Sequence, residues 1–271
     1  MDALQILILS FVQGITEFLP ISSSGHLILT PLLFGYELQS LAFDVALHLG
    51  TLGAVMLYFR RELIAMTRAV LGSLRTRRFL ADPDARLGWM IILATLPVML
   101  LGLPLKSLLE ILRDDPTLVA LVVAGTSIGF GLLLWWADWR GRRVRDEFSI
   151  GWKDALLVGL MQAVAIIPGT SRSGITITAA LLLGLTRQAA SRFSFLLAIP
   201  TILMAGALET LDLVQAAEPV DWTSLWLGAG LSFVFAYLTI HFFLRFIERI
   251  SMLPFVIYRL LLGGVILMLV W

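Results

Sequence analysis

Six stretches of apolar residues, at 41–59, 87–104, 117–137, 193–208, 224–244 and 252–271, constrain this chain more than any other feature. A hydrocarbon layer about 30 Å thick takes roughly 20 helical residues to cross. Inside it every backbone N–H and C=O must be satisfied within the protein, so isolated apolar runs of this length read as transmembrane helices. Composition agrees, since 59% of the 271 residues are hydrophobic and 14% are charged, where a soluble domain carries about one quarter charged residues. A soluble enzyme is thereby excluded. The 20 Lys+Arg against 19 Asp+Glu leave a net charge of +1, which speaks for neither a nucleic-acid nor an acidic partner. Cysteine is absent, and with it any disulfide, thiolate nucleophile or Cys-ligated metal. Residues 1–20 lack a basic n-region and carry Gln13 and Glu17 where the apolar stretch of a signal would continue, so they are expected to stay in the mature protein.

Four further apolar stretches, about 3–19, 24–35, 153–167 and 174–185, are too short to cross, and each pair is parted by a break: Pro20 with a Ser run, and Pro168-Gly169 with a Ser/Arg run. They read as half-helices. Charge sets their orientation. The segment 60–86 carries Arg60, Arg61, Arg68, Arg75, Arg77, Arg78 and Arg86, and 138–153 carries Arg140, Arg142, Arg143, Arg145 and Lys153, whereas 209–223 holds four acids and no base. Cytoplasmic loops are the ones rich in Lys and Arg. With the first two segments inside and the acidic one outside, the crossings close only if 1–40 is a re-entrant hairpin from the outside and 153–190 one from the cytoplasm. Both termini then lie outside.

An internal repeat points the same way. Gln13, Ser22 and Gly25 recur 149 residues later as Gln162, Ser171 and Gly174. The chain is therefore expected to be one all-α integral membrane domain over 1–271, with six transmembrane helices plus two re-entrant helical hairpins. It forms an inverted-topology repeat, the first unit at 1–137 and the second at 153–271.

Irregular backbone at membrane depth is tolerated where protein buries it or water reaches it. Ser22, Ser23, Ser24 and Gly25, and Gly169, Ser171, Arg172, Ser173 and Gly174, are accordingly expected to line a polar cavity. The helix N-termini that follow each break present backbone N–H groups, and with Ser hydroxyls and the fork of Arg172 they suit an anion, above all phosphate. Gln13 lies one helical turn before Glu17 on the same face, and Glu17 and His26 bracket the first break. Ionisable groups inside membrane segments are costly and mark function. A hydroxyl at Ser23 beside the imidazole of His26 and near a carboxylate has the make-up of an activated nucleophile with its base. The plainer alternative is that Glu17 and Arg172 pair to hold the hairpins together.

Other polar residues carry weaker readings. Asp44 and His48, spaced i, i+4, fit an interhelical polar contact better than a metal pair; Glu209 and His241 read as interfacial; Trp135, Trp136, Trp139, Trp222 and Trp226 read as an aromatic belt. The Arg clusters are orientation signals that also suit anionic lipid.

The run Gln13-Gly14-Ile15-Thr16-Glu17-Phe18-Leu19-Pro20-Ile21-Ser22-Ser23-Ser24-Gly25-His26 and the run Pro168-Gly169-Thr170-Ser171-Arg172-Ser173-Gly174-Ile175-Thr176 resemble the two signature motifs of the bacterial undecaprenyl-diphosphate phosphatase, or bacitracin-resistance, family. Ser194-Phe195-Leu196-Leu197-Ala198-Ile199-Pro200 and Pro254-Phe255-Val256-Ile257-Tyr258-Arg259 are similar too. The resemblance implies hydrolysis of undecaprenyl diphosphate to undecaprenyl phosphate and inorganic phosphate on the outer side of the bacterial cytoplasmic membrane, recycling the carrier for wall synthesis. By it, Glu17 is the acidic residue of the motif, His26 its histidine, Ser23 a nucleophile and Arg172 the diphosphate-binding arginine, with Ser171, Ser173 and Thr176 beside it. It also implies a divalent cation, Mg²⁺ or Ca²⁺, at Glu17 and Gln13. Many relatives have Glu where this chain has Gln13, so Glu17 is expected to hold the ion largely through substrate phosphates.

Ser23 and His26 both stay open as nucleophile. The expected partners are a polyprenyl diphosphate and membrane lipids, with no nucleic acid, and a homodimer is compatible with the sequence. The rival classes are a polyprenyl-phosphate carrier, which shares the inverted plan, and an acid-phosphatase-type lipid phosphatase, for which His241 lies far from the Ser-Arg motif.

Overall fold

A computed structural model describes residues 1–113, 116–216 and 221–270, of which residues 32, 103–113, 116 and 212–216 are described by their backbone alone. The expected segment 209–223 and the last residue of the run 252–271 thus fall partly outside the described residues. Those residues form eleven α-helices and no strand. Six are long and apolar enough to cross a membrane: α3 (Leu41–Tyr58), α5 (Pro83–Arg113), α6 (Pro116–Arg140), α9 (Arg187–Ala216), α10 (Trp222–Ile250) and α11 (Leu253–Val270). The protein is an all-helical, multi-pass membrane protein. Each span coincides with one of the six apolar runs: α5, α6, α9 and α10 extend beyond theirs at both ends, whereas α3 and α11 stop a residue short of theirs.

Four helices are short: α1 (Ala3–Thr16), α2 (Ser23–Phe34), α7 (Trp152–Val164) and α8 (Arg172–Leu182). At 11 to 14 residues they are about 17–21 Å long, less than a hydrocarbon core. The chain breaks between them at 17–22 and 165–171. Ser22 (φ 74°, ψ 92°) and Ser171 (φ 70°, ψ 108°), both non-glycine residues with positive φ, sit at the N-caps of α2 and α8. Such backbone costs on the order of 1–3 kcal/mol and persists where surrounding contacts over-determine it.

The charged segment 60–86, which shows no apolar run, is largely helix. Helix α4 (Arg60–Thr76) packs on α5 through buried Met66 and Ser73, whose Oγ accepts from Trp89 Nε1 at 2.9 Å. The segments rich in arginine meet at one end of the bundle. Arg86 donates to the carbonyl of Ile150, Arg192 reaches Glu147 and Glu62, and Arg145 and Arg187 pair with Asp154 and Asp138 at 2.6 Å. Burial alone would raise the Asp154 carboxyl, but the Gly151 amide and the Arg145 guanidinium outweigh it and hold it below the usual carboxylate range.

Close packing at small residues draws the helices together. A Cβ on Gly50 of α3 would lie 2.2 Å from the Ala229 carbonyl of α10, and one on Gly159 of α7 would lie 2.4 Å from the Ala94 carbonyl of α5. A buried core that includes Phe18, Phe59, Phe193 and Phe195 fills the centre of the bundle.

Candidate active site

Helix α1 delivers Glu17 as its C-cap residue, and α8 begins with Arg172. The two side chains meet across the breaks, Arg172 Nη2 donating to Glu17 Oε1 at 2.6 Å. The second guanidinium nitrogen, Nη1, donates to the Ser194 carbonyl of α9 at 3.3 Å. On the other carboxylate oxygen, Oε2, converge the hydroxyl of Ser23 at 2.8 Å and the Gln13 amide Nε2 at 3.0 Å. Glu17 itself is 7% exposed. A charge so buried is tolerable because it is paired and hydrogen-bonded. Ser173 Oγ donates to the Leu19 carbonyl at 2.8 Å, a second tie between the breaks.

These groups open on a cavity of about 250 Å³ lined by Glu17, Ser22, Ser23, Ser24, Ser171, Arg172 and Ser173, and also by His48, Thr201 and Glu209. That is below the roughly 300–1,000 Å³ of pockets that engulf a drug-sized ligand. The helix ends differ in capping. Ser171 Oγ accepts from the Gly174 amide at 3.1 Å, whereas Ser22 makes no side-chain cap. The first amides of α2 therefore lack a side-chain partner at the mouth of a cavity, the arrangement that binds anions.

The remaining expected residues stand behind this wall. Gly25 packs behind Ser22; a Cβ on Gly169 (φ 82°) would lie 2.3 Å from Thr126 Oγ1, and one on Gly174 2.8 Å from Arg259 Nη1. Thr176 Oγ1 shares a hydrogen bond with Ser194 Oγ at 2.7 Å and donates to the Arg172 carbonyl, which braces the arginine without lining the cavity. His26 faces elsewhere. Its Nδ1 lies 2.7 Å from the Ser22 carbonyl, which only accepts, so Nδ1 donates there, and Nε2 meets the Tyr258 hydroxyl. No hydrogen bond joins Ser23 and His26 among the described residues.

His48 makes the interhelical polar contact expected for it, and its partner is Glu17. Its Nδ1 donates to the Asp44 carbonyl at 2.8 Å, which turns Nε2 to within 3.8 Å of Glu17 Oε2. The i, i+4 pair was visible in sequence, but a turn of α3 is what makes the partner of His48 a backbone carbonyl and frees its other nitrogen. Glu209 reads as interfacial in sequence and joins the same cavity because α9 packs on α3.

For a divalent cation the donors are sparse. Among the described residues no three His, Cys, Asp or Glu side chains gather as a cage. Glu17 has one oxygen on Arg172 and the other on Ser23 and Gln13, and the Gln13 Oε1 is buried without a partner. This set fits a hard cation with one protein carboxylate and most of its shell from elsewhere, as Mg²⁺ commonly takes from phosphates.

The protein is thus a multi-pass helical membrane protein in which a carboxylate, a hydroxyl and a guanidinium from two interrupted helix pairs meet over a polar cavity. The family model described as bacitracin resistance protein BacA matches residues 6–265, and the chain belongs to that family. It is 57% identical to undecaprenyl-diphosphatase 2 of Stutzerimonas stutzeri (strain A1501), over 99% of this chain and 98% of the relative. It is also 54% identical to the undecaprenyl-diphosphatase of Nitrosococcus oceani, over 98% of both chains, and 54% identical to that of Thioalkalivibrio sulfidiphilus, over 100% of both.

Proposed function

We propose that this chain is an undecaprenyl-diphosphate phosphatase in which Ser23 is the nucleophile. The observation that carries the reading is that Ser23 and Arg172, from opposite breaks, are held on the two oxygens of one carboxylate, Glu17. Relatives similar over their whole length bear the corresponding name. The diphosphate enters the cavity with its terminal phosphate against Arg172 and the N-terminus of α2, where guanidinium and backbone amides offset the charge of the transferring phosphoryl group. Ser23 Oγ passes its proton to Glu17 Oε2 and bonds to the terminal phosphorus. The bond from that phosphorus to the bridging oxygen breaks, and undecaprenyl phosphate leaves with the oxygen and the proton. Water then attacks the phosphoserine phosphorus and gives a proton to Glu17; the bond from that phosphorus to Ser23 Oγ breaks, Glu17 returns the proton to Oγ, and inorganic phosphate departs.

His26 is a less suitable nucleophile, because both of its ring nitrogens are engaged by Ser22 and Tyr258. A divalent cation arriving with the diphosphate would be held by Glu17, with Gln13 beside it, and would supply charge neutralisation on the phosphate oxygens. The carrier reading accounts for the cavity but gives no role to a hydroxyl donating to Glu17.

The short helix pairs are re-entrant hairpins, and the halves form an inverted repeat. Support comes from matched packing: α1 on α10 is mirrored by α7 on α5, and α3 on α10 by α9 on α5. Ser22 and Ser171, 149 residues apart, share one unusual backbone conformation. With the arginine-rich end inside, the diphosphate reaches the cavity from the outer side and both termini lie outside. The reading is tested by phosphate release from undecaprenyl diphosphate by the purified protein with divalent cation. Silence of the wild type would end it.

A further inference from the structure

Arg259, in α11, is the largest side chain with no exposed surface among the described residues. A guanidinium in such a place is ordinarily matched by a carboxylate. Here its hydrogen-bond partners are backbone carbonyls: Nε donates to Ser127 at 3.1 Å, Nη2 to Thr126 and Gly169 at 3.1 Å each, and Nη1 to Pro20 at 3.4 Å. Two of these carbonyls belong to α6 and the other two to the two breaks. Pro20 and Gly169 stand 149 residues apart, the same offset that relates Gln13 to Gln162 and Ser22 to Ser171. One fork therefore grips equivalent carbonyls of both broken segments. The space is shaped for it, since a Cβ on Gly131 would lie 3.2 Å from Arg259 Cβ and one on Gly174 2.8 Å from its Nη1. Neither Arg259 nor these carbonyls line the cavity.

We propose that Arg259 is a positioning residue for the reaction, a clamp at the pseudo-two-fold centre that sets the two breaks in register so that Arg172 meets Glu17. The planar fork matters rather than the charge alone. A lysine offers a single point of three donors at the end of a flexible stem and cannot span carbonyls on three segments. Loss of the clamp shifts one break against the other, and displacement of about 1 Å at a catalytic pair can cost on the order of 100-fold in rate. The binding surfaces for the head group, Ser22–Ser24 and Ser171–Ser173, each stay with their own helix, so affinity is affected less than turnover.

This rests on the phosphatase reading, and two measurements keep their failures apart. The first is steady-state hydrolysis of undecaprenyl diphosphate by Arg259→Lys and by Gly131→Ala, which crowds the arginine stem and leaves its charge. Arg259→Lys should lower kcat by about 100-fold with KM within about threefold, and Gly131→Ala should lower kcat several-fold. Wild-type kcat in both, or a raised KM at unchanged kcat, overturns the clamp while the phosphatase reading stands. The second measurement needs no activity. In the naturally cysteine-free chain, Leu19→Cys with Ser173→Cys places one thiol in the first break and one in the first turn of α8, where the native residues touch. A short bis-maleimide should join them readily beside native Arg259 and more slowly beside Arg259→Met or Arg259→Lys. Equal rates in all three backgrounds overturn the proposal even if the wild type proves inactive.

Discussion

Glu17 and Arg172 are 155 residues apart in sequence and 2.6 Å apart in space, and each begins or ends a helix that stops short of crossing the membrane. Their contact joins the two breaks, and its remaining carboxylate oxygen holds Ser23. Glu17→Gln keeps the shape and removes the charge, so Arg172 loses its counter-ion and Ser23 its proton acceptor. Activity should fall by about 10²–10³ in kcat. Arg172→Lys keeps the charge but loses the fork and should fall by about 100-fold. Phosphate-release kinetics on purified variants measure both.

Ser23 and His26 separate cleanly. Ser23→Ala should cost on the order of 10³-fold or more in kcat, as loss of a nucleophile does. Tyr258→Phe removes only the hydroxyl that meets His26 Nε2, a single hydrogen bond worth about 1 kcal/mol, and should leave activity within about tenfold of wild type. An equal collapse in both would move the chemistry to His26.

Cation dependence follows from the donor count. A chelator should abolish turnover reversibly, and Gln13→Glu, which adds a carboxylate next to Glu17, should lower the divalent-ion concentration that gives half-maximal rate. Titration of Mg²⁺ and Ca²⁺ against wild type and variant measures it.

The membrane fold was legible where one physical rule acts alone. Apolar length marks all six spans, and Pro20 and Pro168-Gly169 mark the ends of the short helices, because a missing N–H and a positive φ interrupt the helical ladder. The meeting of Glu17 with Arg172 followed from charge cost and topology. Less was legible where a residue's role depends on a neighbour from another helix. His48, Glu209 and Tyr258 look like span polar groups until α3, α9 and α11 are packed. Arg259 sits in an apolar run, and nothing local shows that its partners are carbonyls from three distant segments. Helix α4 was hidden because its arginines obscure the face that packs on α5.

Packing through small residues makes a stability prediction. Gly50→Ala would press a methyl onto the Ala229 carbonyl and should destabilise the protein by about 1–3 kcal/mol. Gly230→Ala, on α10 but facing open space, should leave the thermal midpoint in detergent unchanged or slightly higher.

The arginine-rich end carries a pH dependence. Because folding lowers the Asp154 carboxyl below its ordinary value near 3.8, its tie to Arg145 contributes fully above that pH and is lost as pH falls through the lower folded value. Asp154→Asn should therefore lower the midpoint at pH 6 more than at pH 3, read by thermal unfolding at both.

The most direct test follows the phosphate itself. Purified protein is mixed with undecaprenyl diphosphate labelled in its terminal phosphate, quenched within a turnover, and digested to locate the label. Label is expected on the peptide holding Ser23 and is lost in Ser23→Ala. Label on His26, or full turnover with Ser23 replaced, would contradict Ser23 as the nucleophile.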